Sequence, residues 1–175
     1  STQSAKTQAP ASSPVVSNSN FGSLEAAQET AIAKAEPAVV QVQGIINQGE
    51  SLGSGIIVDN KGDIVTNNHV VSGTSSLTVV LNNGSSEAAQ IVGTDPAHDL
   101  AVIRIQPFAG MSVAILGDST QLAVGQEVLA IGNPLGYTGS ATAGVVSALN
   151  RSASESSNVT LTGLIQTSAA INPGN

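Results

Sequence analysis

From Pro37 onward the chain is written as short β-branched runs broken by turn residues at close spacing, and this pattern constrains the fold more than any other. Six runs come first: Ala38–Ile46, Gly53–Val58, Asp63–Thr66, Leu77–Leu81, Glu87–Val92 and Leu100–Ile105. Asp59-Asn60-Lys61-Gly62 and Asn82-Asn83-Gly84 read as hairpin turns, because Asn and Gly tolerate positive φ. Four more runs follow Pro107: Val113–Leu116, Glu127–Ile131, Ala141–Leu149 and Val159–Gln166. Repeated strands of this kind predict an all-β barrel or sandwich. Six strands suffice to close a small barrel; four normally do not.

Two segments precede the strands. Residues 1–22 are dominated by Ser, Thr, Gln, Asn, Ala and Pro with Lys6 as the one charge, which predicts a flexible tail. Ser23 is placed to N-cap a short helix whose Leu24, Ala27, Ala31, Ile32 and Ala35 recur at helical spacing, and Pro37 ends it. The division expected is therefore a tail over 1–22, a helix with the first barrel over 23–110, and a second strand set over 111–175.

Composition excludes several function classes. The 175 residues carry a net charge of −7, with 12 acids against 5 bases, which argues against binding a nucleic-acid backbone or an anionic membrane surface. The absence of cysteine rules out disulfides, thiolate metal sites and cysteine nucleophiles. With only Phe21, Phe108 and Tyr137 as aromatics, the core must be aliphatic. Apolar runs all fall short of the ~20 residues of a membrane span. No charged leader with an apolar stretch opens the sequence, so a signal peptide is either removed or was never present. A metal would require His69, His98 and a carboxylate to converge, and no metal or other cofactor is expected. The sequons at Asn83, Asn150 and Asn158 are what chance provides in so Ser/Thr-rich a chain.

The residues able to do chemistry are His69, after the strand-like Ile64–Thr66, and Asp99, just before an apolar run. Thirty residues separate them, so any contact is tertiary. A histidine acting as general base needs one ring nitrogen facing the nucleophile and the other held by a fixed acceptor, best a carboxylate. Spacing alone leaves this open beside a plainer alternative, in which His69 ends a strand and Asp99 caps a turn.

Five strings bear on that choice: GSGIIVDNKGDIVTNNHVV, DLAVIRI, LAVGQEVLAIGNPLG, ATAGVVSALNR and LIQTSAAINPGN. In this order, over about residues 24–175, they resemble the HtrA family of trypsin-like serine proteases. The resemblance implies two six-stranded β-barrels of chymotrypsin type with the catalytic cleft between them, the second barrel incomplete within these residues. It implies His69 as general base, Asp99 as its orienting acid and Gly174 as an oxyanion-hole donor. The nucleophilic serine of the family pattern would follow Asn175, so the 175-residue chain is expected to be a piece of a longer enzyme and inactive alone. Ala170 and Ile171 fall at the base of the primary substrate pocket, which implies small aliphatic P1 residues. Ser168 stands where members often have Asp, and the loop at Asn47–Glu50 is short.

The resemblance further implies unfolded proteins or peptides as substrates, an extracytoplasmic location, and a homotrimer for which Phe21 is the candidate contact. His98 is assigned no role. Two rival readings stay in view: a non-catalytic pseudo-protease or chaperone-like binder of unfolded chains, and a purely structural β-domain.

Overall fold

The computed structural model describes residues 21–47, 49–133, 140–156 and 159–171. Helix α1 spans Phe21–Ala35, and a 3-10 turn at Glu36–Ala38 follows, with Pro37 near its start. Ser23 does not cap α1 as the sequence suggested, because Phe21 and Gly22 are already helical and Ser23 lies inside the first turn. The expected tail over 1–22 falls almost wholly outside the described residues.

Six strands come next: β1 (Val39–Ile46), β2 (Gly49–Ile57), β3 (Asp63–Asn67), β4 (Ser76–Val80), β5 (Ser86–Asp95) and β6 (Leu100–Arg104). They close into a barrel in the order β1-β2-β3-β6-β5-β4, with each neighbouring pair antiparallel. Two three-strand meanders are thus joined edge to edge, which leaves no unpaired strand edge. Both anticipated turns are present. Asp59 Oδ1 accepts from the amides of Lys61 and Asp63, Asn83 Oδ1 accepts from Ser85, and Gly62 and Gly84 take the positive φ each reversal needs.

Alternation explains which face goes inward. In β3, Ile64 and Thr66 are buried and Asn67 is exposed, while β6 buries Ala101 and Ile103. The interior is aliphatic: Val40, Val42, Val79, Ile57, Ile64 and Ile103 are each no more than 1% exposed. Burying one such side chain stabilises the fold by roughly 1.5–3 kcal/mol.

The second strand set differs from expectation. β7 (Glu127–Gly132), β8 (Ser140–Ser156) and β9 (Val159–Thr167) form a three-stranded antiparallel sheet in that order. The first of the four expected runs, Val113–Leu116, is not a strand. It passes along the first barrel instead: Met111 and Val113 pack on the barrel core, and the Ala114 amide donates to the Ile57 carbonyl at 2.9 Å. Ile115 is 98% and Leu116 72% exposed, so Val113 is the one large apolar side chain of the run that turns to the barrel.

Candidate active site

The barrel's strand order places two connections at one end. The β3–β4 connection contains a single helical turn, α2 (Asn68–Val71), which carries His69. The β5–β6 connection is the tight turn ending at Asp99. Because β3 lies beside β6, with Asn67 opposite Leu100, the residues just beyond that pair must meet. They do: His69 Nδ1 lies 2.7 Å from Asp99 Oδ2, and the His69 amide donates to Asp99 Oδ1 at 2.8 Å.

Gly53 on β2 helps to set the position of α2. A Cβ there would come within 2.5 Å of Val70 Cγ2, so the absent side chain is what lets Val70 enter the core next to His69.

Asp99 is 5% exposed, whereas the His69 side chain is 62% exposed. A buried carboxylate must have its oxygens satisfied. Its donors come from one short stretch: the His69 amide, the His69 ring, and Asn67 Nδ2, which lies 3.0 Å from Oδ2 and 3.1 Å from the Asp99 carbonyl. The Asn68 amide donates to that carbonyl as well. These contacts hold Asp99 at φ 52°, in the left-handed region that Asp can enter but most residues avoid. A carboxylate facing Nδ1 keeps the ring proton on that nitrogen, so Nε2 is the basic one. Such a dyad can accept a proton at Nε2 while the carboxylate steadies the resulting imidazolium.

His98, next in sequence, is separate from this pair. Its Nδ1 lies 2.7 Å from Asp95 Oδ2, and that hydrogen bond holds the Asp95 carboxyl below the usual carboxylate range. Among the described residues no three His, Asp or Glu side chains gather as metal ligands.

Ala170 and Ile171 lie after β9, on a segment pinned to β8. Val145 and Ser168 exchange two bonds: the Val145 amide donates to Ser168 Oγ at 3.0 Å, and the Ser168 amide donates to the Val145 carbonyl at 3.1 Å. Thr142 Oγ1 donates to the Ala170 carbonyl at 2.6 Å. Ala170 and Ile171 are exposed. Gly174 falls outside the described residues, as does Tyr137, and the side chain of Phe21 is likewise not described.

Sequence reasoning assigned no role to Asn67 or Thr142. Asn67 was visible as the first Asn of the Thr-Asn-Asn-His string, but an Asn before a helical turn reads as an ordinary cap. Asn133 was also passed over. It is 1% exposed, its main-chain amide donates to Ser54 Oγ at 3.1 Å, and its buried side-chain oxygen has no hydrogen-bond partner among the described residues.

Residues 53–175 match the trypsin-like peptidase domain family. Serine protease PepD of Mycobacterium tuberculosis is 42% identical over 160 residues, which is 84% of this chain and 34% of that protein. A probable periplasmic serine endoprotease, DegP-like, of Marinomonas sp. is 45% identical over 128 residues, covering 73% of this chain and 26% of that protein. Among solved structures, the HtrA-type protease AlgW with tripeptide superposes with a TM-score of 0.76 at 39% identity, covering 85% of this chain and 48% of that one. The chain thus spans roughly a quarter to a third of the length of these curated relatives.

Proposed function

The chain belongs to the trypsin-like peptidase family, within its HtrA-type serine proteases, and on that premise we propose that it supplies the general base and orienting acid of a serine endopeptidase. The observation that carries this reading is the 2.7 Å contact between His69 Nδ1 and the buried Asp99. In the proposed reaction His69 Nε2 takes the proton of a serine hydroxyl as that oxygen attacks a peptide carbonyl. The proton then passes to the leaving amine, which departs and leaves an acyl-enzyme. Water, deprotonated by His69, then attacks the ester; as the acyl–oxygen bond breaks, His69 returns that proton to the serine oxygen, which frees the acid and restores the serine hydroxyl. Asp99 stays ionised and stabilises the imidazolium. Gly174 is proposed as an oxyanion donor, a role typically worth ~2.7–4 kcal/mol of transition-state stabilisation. Ala170 and Ile171 are proposed as the base of a pocket for small aliphatic side chains.

We take residues 23–110 as the helix and first barrel, 111–175 as part of the second barrel, and 1–22 as a tail. Unfolded polypeptides outside the cytoplasm are the proposed substrates, a reading supported by the periplasmic naming of DegP-like relatives. A homotrimer is proposed as the assembly.

The test is a serine-directed fluorophosphonate together with casein, applied to a polypeptide in which this sequence continues into Ser-Gly-Gly and the rest of the domain. Labelling and cleavage that disappear in His69→Ala are expected. Undiminished cleavage in His69→Ala would overturn the reading.

A further inference from the structure

Asn67 occupies the N-cap position of α2, with φ −82° and ψ 145°, yet its side chain makes no capping bond. This is unusual employment for an Asn. At an N-cap its side-chain oxygen ordinarily accepts from an amide two or three residues on. Here that service comes from elsewhere: Asp99 Oδ1 accepts from the amide of His69, the second residue of the turn. The buried carboxylate thus caps the helix that carries its own histidine. The Asn67 amide group turns instead to Asp99, reaching both its carboxylate and its carbonyl. Both targets are acceptors, so the face that Asn67 presents must be the NH2 group.

We propose that Asn67 is a positioning residue for the dyad: its amide fixes the Asp99 carboxylate so that one oxygen is committed to the His69 ring and the other to the His69 main chain. Two features set this apart from ordinary turn packing. The capping contact that Asn67 would make by default is given up. The residue it holds is one that pays backbone strain to be there, at φ 52°. Without the Asn67 donor, Asp99 Oδ2 loses one of its two donors described here, and the left-handed Asp99 loses one of two bonds to its carbonyl. The carboxylate is then held less tightly in its plane, and the imidazole with it.

Substitution can separate the two roles, because Asp is as good an N-cap as Asn but an ionised carboxylate donates no hydrogen bond. If Asn67 served only the turn, Asn67→Asp would be neutral. If it serves Asp99, Asn67→Asp sets an oxygen against an oxygen and is at least as harmful as Asn67→Ala. The first readout uses the 175-residue chain: the downfield proton resonance of His69 Nδ1, assigned by its loss in His69→Ala. It should broaden or shift in both Asn67 variants while the methyl resonances of the barrel core stay in place. An unchanged resonance in Asn67→Asp overturns the proposal, and this arm requires no activity. Should these variants fail to fold, Asn67→Ser decides: Ser is an equally good, uncharged N-cap without the reach of the amide, and an unchanged Nδ1 resonance there overturns the proposal.

The second readout rests on the peptidase reading and uses the serine-bearing polypeptide. There kcat should fall about 10²-fold in Asn67→Asp with KM unchanged, the scale of loss expected from misplaced catalytic groups. Equal kcat overturns the proposal. Cleavage that survives His69→Ala would overturn the peptidase reading instead, so the two failures are distinguishable.

Discussion

Asn67 lies directly across the β3–β6 ladder from Leu100, and this one pairing decides where the dyad falls. His69 is two residues beyond Asn67 and Asp99 one before Leu100. A slip of a single residue would turn every side chain of β3 to the opposite face. It would take Thr66 and Ile64 out of the core along with the alignment of the dyad. Site geometry and core packing are therefore enforced by the same register, and the predictions below probe the parts that hold it.

Gly53→Ala tests the packing beneath His69. The added Cβ would press on Val70 Cγ2 at 2.5 Å inside a filled core. Overpacking of this kind typically costs about 1–3 kcal/mol. Urea unfolding should show a lower midpoint, and the His69 ring resonances should move with the displaced turn. A midpoint equal to wild type would mean that α2 does not depend on that space.

At the far end of the same ladder, Asp63 faces Arg104, whose Nε and Nη2 donate to its two carboxylate oxygens. Those bonds hold the Asp63 carboxyl below the usual carboxylate range despite the opposing cost of its desolvation, and they raise Arg104 in turn. The sign follows from linkage. Since the folded value lies below the unfolded one, the stabilisation is present above the unfolded carboxylate value of about 3.9. It fades as pH falls through the lower folded value. Asp63→Asn should lose stability at neutral pH and show a shallower decline on acidification. Parallel stability curves from neutral pH down to the acid limit for variant and wild type would contradict this.

Gly144→Ala addresses the segment that carries Ala170 and Ile171. A Cβ at Gly144 would overlap the main chain of Ser168 and Ala169, including Ala169 Cα at 2.6 Å. Backbone cannot rotate aside as a side chain can, so the segment must lift from β8 and strain its bonds to Val145 and Thr142. In the serine-bearing polypeptide, kcat/KM for peptides with Ala or Val at P1 should drop more than tenfold. Retained selectivity would separate Ala170 and Ile171 from the pocket.

Much of this was legible in the sequence for identifiable reasons. Five of the six barrel strands announce themselves because they bury Val, Ile or Leu on a face, whereas β5 leaves Ile91 and Val92 about half exposed and is marked by its β-branched composition alone; two of the turns carry Asn-Gly or Lys-Gly signals. His69 and Asp99 stood out beside strand ends, but position left their pairing open, and only the resemblance carried by strings such as Thr-Asn-Asn-His-Val-Val and Asp-Leu-Ala-Val-Ile-Arg-Ile joined them. What escaped was set by tertiary contact. β8 continues to Ser156 through Arg151-Ser152-Ala153-Ser154, a polar stretch paired only with β9 and lacking a buried face, so no alternation marked it. Asn67 escaped because its local role as a cap is taken over by Asp99, a residue 32 positions away.

Phe21, one of only two phenylalanines in the chain, is the contact proposed for the trimer. Phe21→Ala should reduce the mass measured by light scattering from three chains to one while leaving the barrel's melting point unchanged. A mass that does not respond would remove Phe21 from the assembly.

The last prediction contrasts two isoleucines that both lie in runs the sequence marks as strands. Ile103 is fully buried in β6, paired with Ile64 across the ladder, and surrounded by barrel core. Ile115 is 98% exposed on the connecting segment. Ile103→Ala removes buried methylene and methyl groups and leaves a cavity, at a cost of about 2–5 kcal/mol. Ile115→Ala removes surface that water already covers and should stay within about 0.5 kcal/mol of wild type. Urea unfolding of the 175-residue chain measures both. Comparable losses would show Ile115 covered in solution, with Val113–Leu116 packed as the strand that its composition suggests.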